Sequence, residues 1–142
     1  MDAQQALADL TEISSQVRAA VLLDRTGQLV ASTHAEETRA RALAEACREL
    51  LAAAEEARRG GDRELTQLEA ATREGSVFVV RERDRVIAAT TGPAPTVGLV
   101  FYDLKTCLRA VAVAGNGEAP KKRAPRKRAA KAATEENGDA EA

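Results

Sequence analysis

Aromatic residues are nearly missing from this 142-residue chain, which has no tryptophan, one tyrosine and two phenylalanines. With apolar residues at 44%, the core has to be built from Ala, Leu and Val around Phe78 and Phe101. The two cysteines, Cys47 and Cys107, fall inside helical patterns and share no C-x-x-C spacing. That argues against a disulfide framework or a metal site and reads them as small core hydrophobes. The only histidine, His34, sits where the second helix starts and reads as a surface or capping-loop residue. Gly92-Pro93-Ala94-Pro95-Thr96-Val97-Gly98 lacks the Gly-Lys-Ser/Thr ending of a phosphate-binding loop, so the chain is not expected to be a nucleotide hydrolase itself. Asp24 belongs to a turn and Asp103 to a helix face, with no second carboxylate placed by spacing. No enzyme site, cofactor or metal is expected. No apolar run approaches the ~20 residues of a membrane span, and the acidic Met1-Asp2-Ala3 start resembles no signal peptide. The expected location is cytoplasmic.

What the chain does have is an uneven charge distribution. Residues 1–114 carry 14 basic and 17 acidic side chains, and residues 115–142 carry seven and five. The basic groups of the second segment all lie between Lys121 and Lys131, and most of its acids follow from Glu135. Arginine is almost the only base of the first segment, with Lys105 its single lysine. This Arg- and Ala-heavy usage fits a GC-rich bacterial genome. One domain over residues 1–113 and a separate tail over 114–142 follow.

Asp2 with Gln5 makes a capping-box-like start for a first helix to about Val17, with Ala6, Leu10, Ile13 and Val17 as its buried stripe. Ala20 to Leu23 and Gln28 to Ser32, joined by Asp24-Arg25-Thr26-Gly27, read as a β-hairpin. Thr33 to Glu36 is a capping box for a long second helix from about Ala35 to Arg58, stopped by Gly60-Gly61. Leu43, Cys47, Leu50, Leu51 and Ala54 share its apolar face, and Arg41, Glu45, Arg48, Glu49 and Glu56 its polar one. Ala42, Ala46 and Ala53 form a flank between them, smooth enough for close approach of another backbone and equally what a strong helix former provides.

Three strands follow. Thr66, Leu68 and Ala70 alternate with polar residues, Val77 to Val80 is apolar on both faces and reads as central, and Val86 to Thr91 is the last. Thr96 can then cap a final helix facing inward through Val97, Val100, Phe101, Leu104, Cys107, Leu108 and Val111. The order α-β-β-α-β-β-β-α gives an α/β fold, a five-stranded, mostly antiparallel sheet sandwiched by helices.

This order, the hairpin from Ala20 to Ser32 and the Gly-Leu-Val-Phe-Tyr-Asp-Leu of the last helix resemble the Roadblock (dynein light-chain) family over about residues 4–112. The resemblance implies a homodimer whose third strands pair across the axis with the second helices side by side. Here that places Thr66, Leu68 and Ala70 with Ala42, Ala46 and Ala53 at the interface, and a free strand edge needs such a partner or protection. The family's association with small Ras-like GTPases implies a regulatory or scaffolding role, without a catalytic residue to carry over. Arg41, Glu45, Arg48 and Glu49 are the candidate docking face; an ordinary solvated helix with pairs such as Glu37–Arg41 is the other reading.

From Gly115 the apolar periodicity stops, and the tail is expected to be disordered. Lys121, Lys122, Arg123, Arg126, Lys127, Arg128 and Lys131 suit non-specific contact with nucleic acid or an anionic membrane. No aromatic interleaves them to stack on bases. A tail whose basic block and acidic end neutralise one another fits the same composition.

Overall fold

The computed structural model describes residues 2–58 and 64–117. Its elements are α1 (Ala3–Ile13), β1 (Val17–Leu23), β2 (Leu29–Ser32), α2 (Glu37–Ala57), β3 (Gln67–Ala71), β4 (Ser76–Glu82), β5 (Arg85–Thr91) and α3 (Val97–Gly117). The strands form one sheet in the order β2-β1-β5-β4-β3, and all four pairings are antiparallel. β5 is therefore the central strand, and the apolar Val77 to Val80 run lies one place from the edge.

Alternation across the pleat divides the core in two. Ala20, Leu22, Phe78, Val80, Ile87 and Ala89 point toward α1 and α3. Ala19, Val21, Leu23, Val79, Val86 and Ala88 point toward α2. Phe78 and Phe101, the only two phenyl rings, meet edge to face with centroids 5.0 Å apart, in the geometry that the ring quadrupoles favour.

Both α1 and α2 depart from the expected bounds. Asp2 caps α1 as expected, accepting from the Gln5 N–H at 2.8 Å, but the helix stops at Ile13 rather than Val17. Ser14 turns extended, and Val17 instead opens β1 opposite Thr91. Sheet pairing of a β-branched residue thus overrides the 3.6-residue pattern. Leu7, outside the expected stripe, is fully buried, whereas Ile13 is 71% exposed.

The second helix starts at Glu37, after an N-cap Glu36 that makes no side-chain cap bond. The Thr33 hydroxyl is used elsewhere: its Oγ1 accepts from Ala20 N–H, and Thr33 N–H donates to Ala20 O, both at 2.9 Å. Thr33 therefore prolongs the β1–β2 ladder and is not free to cap. Gly27, at φ +88°, closes the hairpin turn in a region costly for any side chain, while the Asp24 carboxylate accepts from Thr26 and Gln28.

α3 runs to Gly117, past the expected boundary at 113. Val100, Leu104, Cys107, Leu108 and Val111 are buried as expected, but Val97 is 38% exposed in the first turn. Among the described residues, no helix is long and apolar enough to cross a membrane. Gly60 and Gly61, and the tail residues Lys121, Lys122, Arg123, Arg126, Lys127, Arg128 and Lys131, lie outside the described residues.

Candidate functional site

Two features share the α2 side of the molecule: the outer face of α2 and the outer edge of β3. The inner face of α2 seats Ala40, Leu43, Ala44 and Cys47 on the sheet. Leu50, Leu51 and Ala54, expected to be core, are only half-buried, with Leu51 packed against the α2-side core. Ala42 and Ala53 are exposed and Ala46 is half-buried.

The four docking candidates do not behave alike. Arg41 is exposed and pairs with Glu37 at 2.6 Å; Glu45 and Glu49 are exposed too. Arg48 is half-buried and anchored, with one terminal nitrogen donating to Gly27 O and the other to Glu45 at 2.6 Å. This bond from Arg48 holds the Glu45 carboxyl below the usual carboxylate range. Arg48 thereby ties the helix to the hairpin turn, and the other three form an exposed polar face.

β3 pairs with β4 alone, from Gln67 opposite Val80 to Ala71 opposite Ser76. Leu68 packs half-buried against the α2-side core and Ala70 is half-buried. Thr66 is exposed and precedes the strand, contrary to expectation, although its carbonyl accepts from Arg81 N–H at 2.8 Å.

A cluster that spacing did not reveal joins these two features. Arg81, at the end of β4, donates to Glu55 of α2 and, from Nε, to Leu65 O at 3.0 Å. Glu55 also accepts from Arg58 at 2.9 Å and from Leu65 N–H at 3.3 Å. The bonds from Arg58, then Arg81, then Leu65 hold the Glu55 carboxyl down at about 2. Only the Glu55–Arg58 pair has a helical i,i+3 signal; Arg81 is 26 residues away in sequence.

Acid–base chemistry finds little to work with here. Cys47 and Cys107 are buried, and burial pushes both thiols up to about 11. Among the described residues, no group of three or more His, Cys, Asp and Glu is placed to hold a metal ion. The arrangement offers a charged helix face and an open strand edge, both suited to another protein surface.

Comparison with known proteins bears on this architecture. No curated protein matches the sequence significantly. A Roadblock/LC7 domain from Streptomyces avermitilis superposes with a TM-score of 0.70 at 17% identity, covering 79% of this chain and 96% of that one. Myxococcus xanthus MglB gives 0.63 at 17% identity, covering 85% and 90%. The gliding protein MglB from Thermus thermophilus gives 0.56 at 18%, covering 76% and 84%. At such identities these likenesses speak to the fold. The family model for the Roadblock/LC7 domain matches residues 3–91, from the start of α1 to the end of β5, and the chain belongs to the Roadblock/LC7 domain family.

Proposed function

We propose that this chain is a non-catalytic, homodimeric binding module that regulates or scaffolds a small Ras-like GTPase. The observation that carries the reading is the exposed polar face of α2 beside the unpaired edge of β3. A second β3 added at that edge satisfies its outward backbone groups. It also brings two α2 helices together, with exposed Ala42 and Ala53 permitting close approach. Such an interface buries about 1,600 Å² in total. Arg41, Glu45 and Glu49 then lie on a doubled helical surface for the GTPase. The engagement of Arg48 with Gly27 and Glu45 favours ordering of the GTPase's own groups over an arginine inserted from Arg48.

Two measurements test this. Light scattering of the full chain at micromolar concentration gives a dimer mass, and a monomer mass overturns the dimer. A purified Ras-like GTPase, loaded in turn with GDP and a GTP analogue, is retained by the chain, and retention falls with R41E/E45R. Retention in neither nucleotide state overturns the GTPase reading.

A further inference from the structure

The side of the molecule opposite α2 carries an apolar groove of about 300 Å³ between α1 and α3. The helices run antiparallel, and Cys107 Sγ donates to Ala6 O at 3.5 Å across the groove floor. Leu10 and Cys107 are buried beneath it, yet at its far end Ile13 is 71% and Tyr102 66% exposed. Ile13 and Tyr102 thus extend the apolar lining of the groove to the surface.

The charged groups of the groove are of one sign. Asp9 and Asp103 line it, and Asp103 is only 9% exposed, with no hydrogen bond or ion pair among the described residues. α1 and its cap carry Asp2, Asp9 and Glu12 and no Lys or Arg. Across α3, Arg109 is turned to Glu82 at 3.3 Å. By contrast, Glu36, Glu37 and Glu45 on α2 are already paired with arginines. Asp9 and Asp103 thus face the groove with no Lys or Arg in its lining.

The chain itself holds the complement. Beyond Gly117 come 25 residues, and seven of the eleven from Lys121 to Lys131 are basic. These follow directly from α3, which is one wall of the groove. Measured back from Gly117 at ~1.5 Å per helical residue, the groove extends from about 10 Å at Ala110 to about 23 Å at Tyr102. At ~3.3 Å per extended residue the basic block covers about 13 to 46 Å, so it spans the groove when the chain reverses.

We infer that residues 121–131 fold back along α3 and occupy the α1/α3 groove of their own protomer, as an internal cationic strap. The aliphatic stems of Lys and Arg cover the apolar floor while their heads meet Asp9 and Asp103. The Tyr102 ring accepts a cation on its face. Ala124, Ala129 and Ala130 add no bulk that a narrow groove excludes. Docked in this way, the basic block is withheld from nucleic acid and membranes until a stronger polyanion competes for it.

A nitroxide on the full-length A124C chain tests the strap. Cys47 and Cys107 are buried and stay unlabelled under mild conditions. In the isotope-labelled chain, the amide signals of Ile13 and Tyr102 are lost and those of Arg41 and Glu45 survive. The lost signals return in about 0.5 M salt, where the Debye length falls to roughly 4 Å. They also return with K122E/R123E/R126E, which leaves every described residue untouched. Bleaching confined to the last turns of α3, spread evenly, or retained after charge reversal overturns the strap. Isotope-labelled chain lacking the nitroxide, mixed with nitroxide-bearing unlabelled chain, separates the other occupant. Loss of Ile13 and Tyr102 there assigns the groove to a second copy and overturns the intrachain strap.

Discussion

Among the described residues, sixteen are buried where α1 and α3 pack on one face of the sheet, four of them alanine and one Phe78; ten are buried where α2 packs on the other, four of them alanine and none aromatic. The first side is filled with apolar side chains. The second is finished by polar ties, Arg48 to the hairpin turn and Arg81 to Glu55. Alanine removes little area from water, so a helix seated on alanines gains less from burial than one seated on Leu and Phe. The same economy leaves α2 with an accessible, smooth flank. Leu50, Leu51 and Ala54 on its inward face stay only half-buried.

The strongest test of this contrast is Phe78→Ala. Phe78 is fully buried on the α1/α3 side and touches Phe101, so its loss destabilises the fold by about 3–5 kcal/mol. Leu43→Ala on the α2 side, where Leu43 keeps 9% exposure, falls at the lower end of the leucine range, about 2–3 kcal/mol. Urea denaturation of both variants measures the difference. Equal losses would show that the two faces are held equally well.

Arg81→Gln comes next. Arg81 is 19% exposed, so its removal lies between an exposed and a buried pair, at about 1–2 kcal/mol. The loss is local: hydrogen exchange quickens in the last turns of α2 and at Leu65, while α1 and α3 keep their protection. Uniform acceleration would mean that the clamp serves the whole fold and not the α2 side.

How much of this was legible beforehand follows from how far each interaction reaches along the chain. Element order, the hairpin and the two-faced run of Val77 to Val80 depend on neighbours two to four residues apart, and sequence periodicity shows them. The Thr33 capping box had the right residues, but pairing with Ala20, 13 positions away, took the hydroxyl. Arg81–Glu55 and the α1/α3 groove join residues 26 and about 100 positions apart, and no local spacing encodes either. The polar face of α2 was legible as a helix stripe, except that Arg48 proved to be anchored.

Acid sharpens the contrast through Glu55. Its folded value of about 2 lies below the ordinary 4.5, so its contribution is complete above pH 4.5 and is lost as pH falls through 2. Exchange at the α2 end should therefore quicken across that window before the α1/α3 side responds. Arg81→Gln should flatten part of this dependence, leaving the share held by Arg58. An unchanged acid profile in that variant would remove Arg81 from the clamp.

The smallest effect on stability is expected at Arg41. Its pair with Glu37 is 73% and 70% exposed, and Arg41→Ala should cost no more than about 0.5 kcal/mol, with α2 intact. That near-silence makes the position informative. If the α2 face is an ordinary solvated surface, the variant changes neither stability nor partner capture. If it is the docking surface, GTPase retention falls while the denaturation curve stays in place, since a rim charge acts on encounter and orientation and not on the fold. A large stability loss would instead show that Arg41 supports the packing of α2. The polar ties of this side would then extend beyond Arg48 and Arg81, and the accessible flank would be narrower than its exposure suggests.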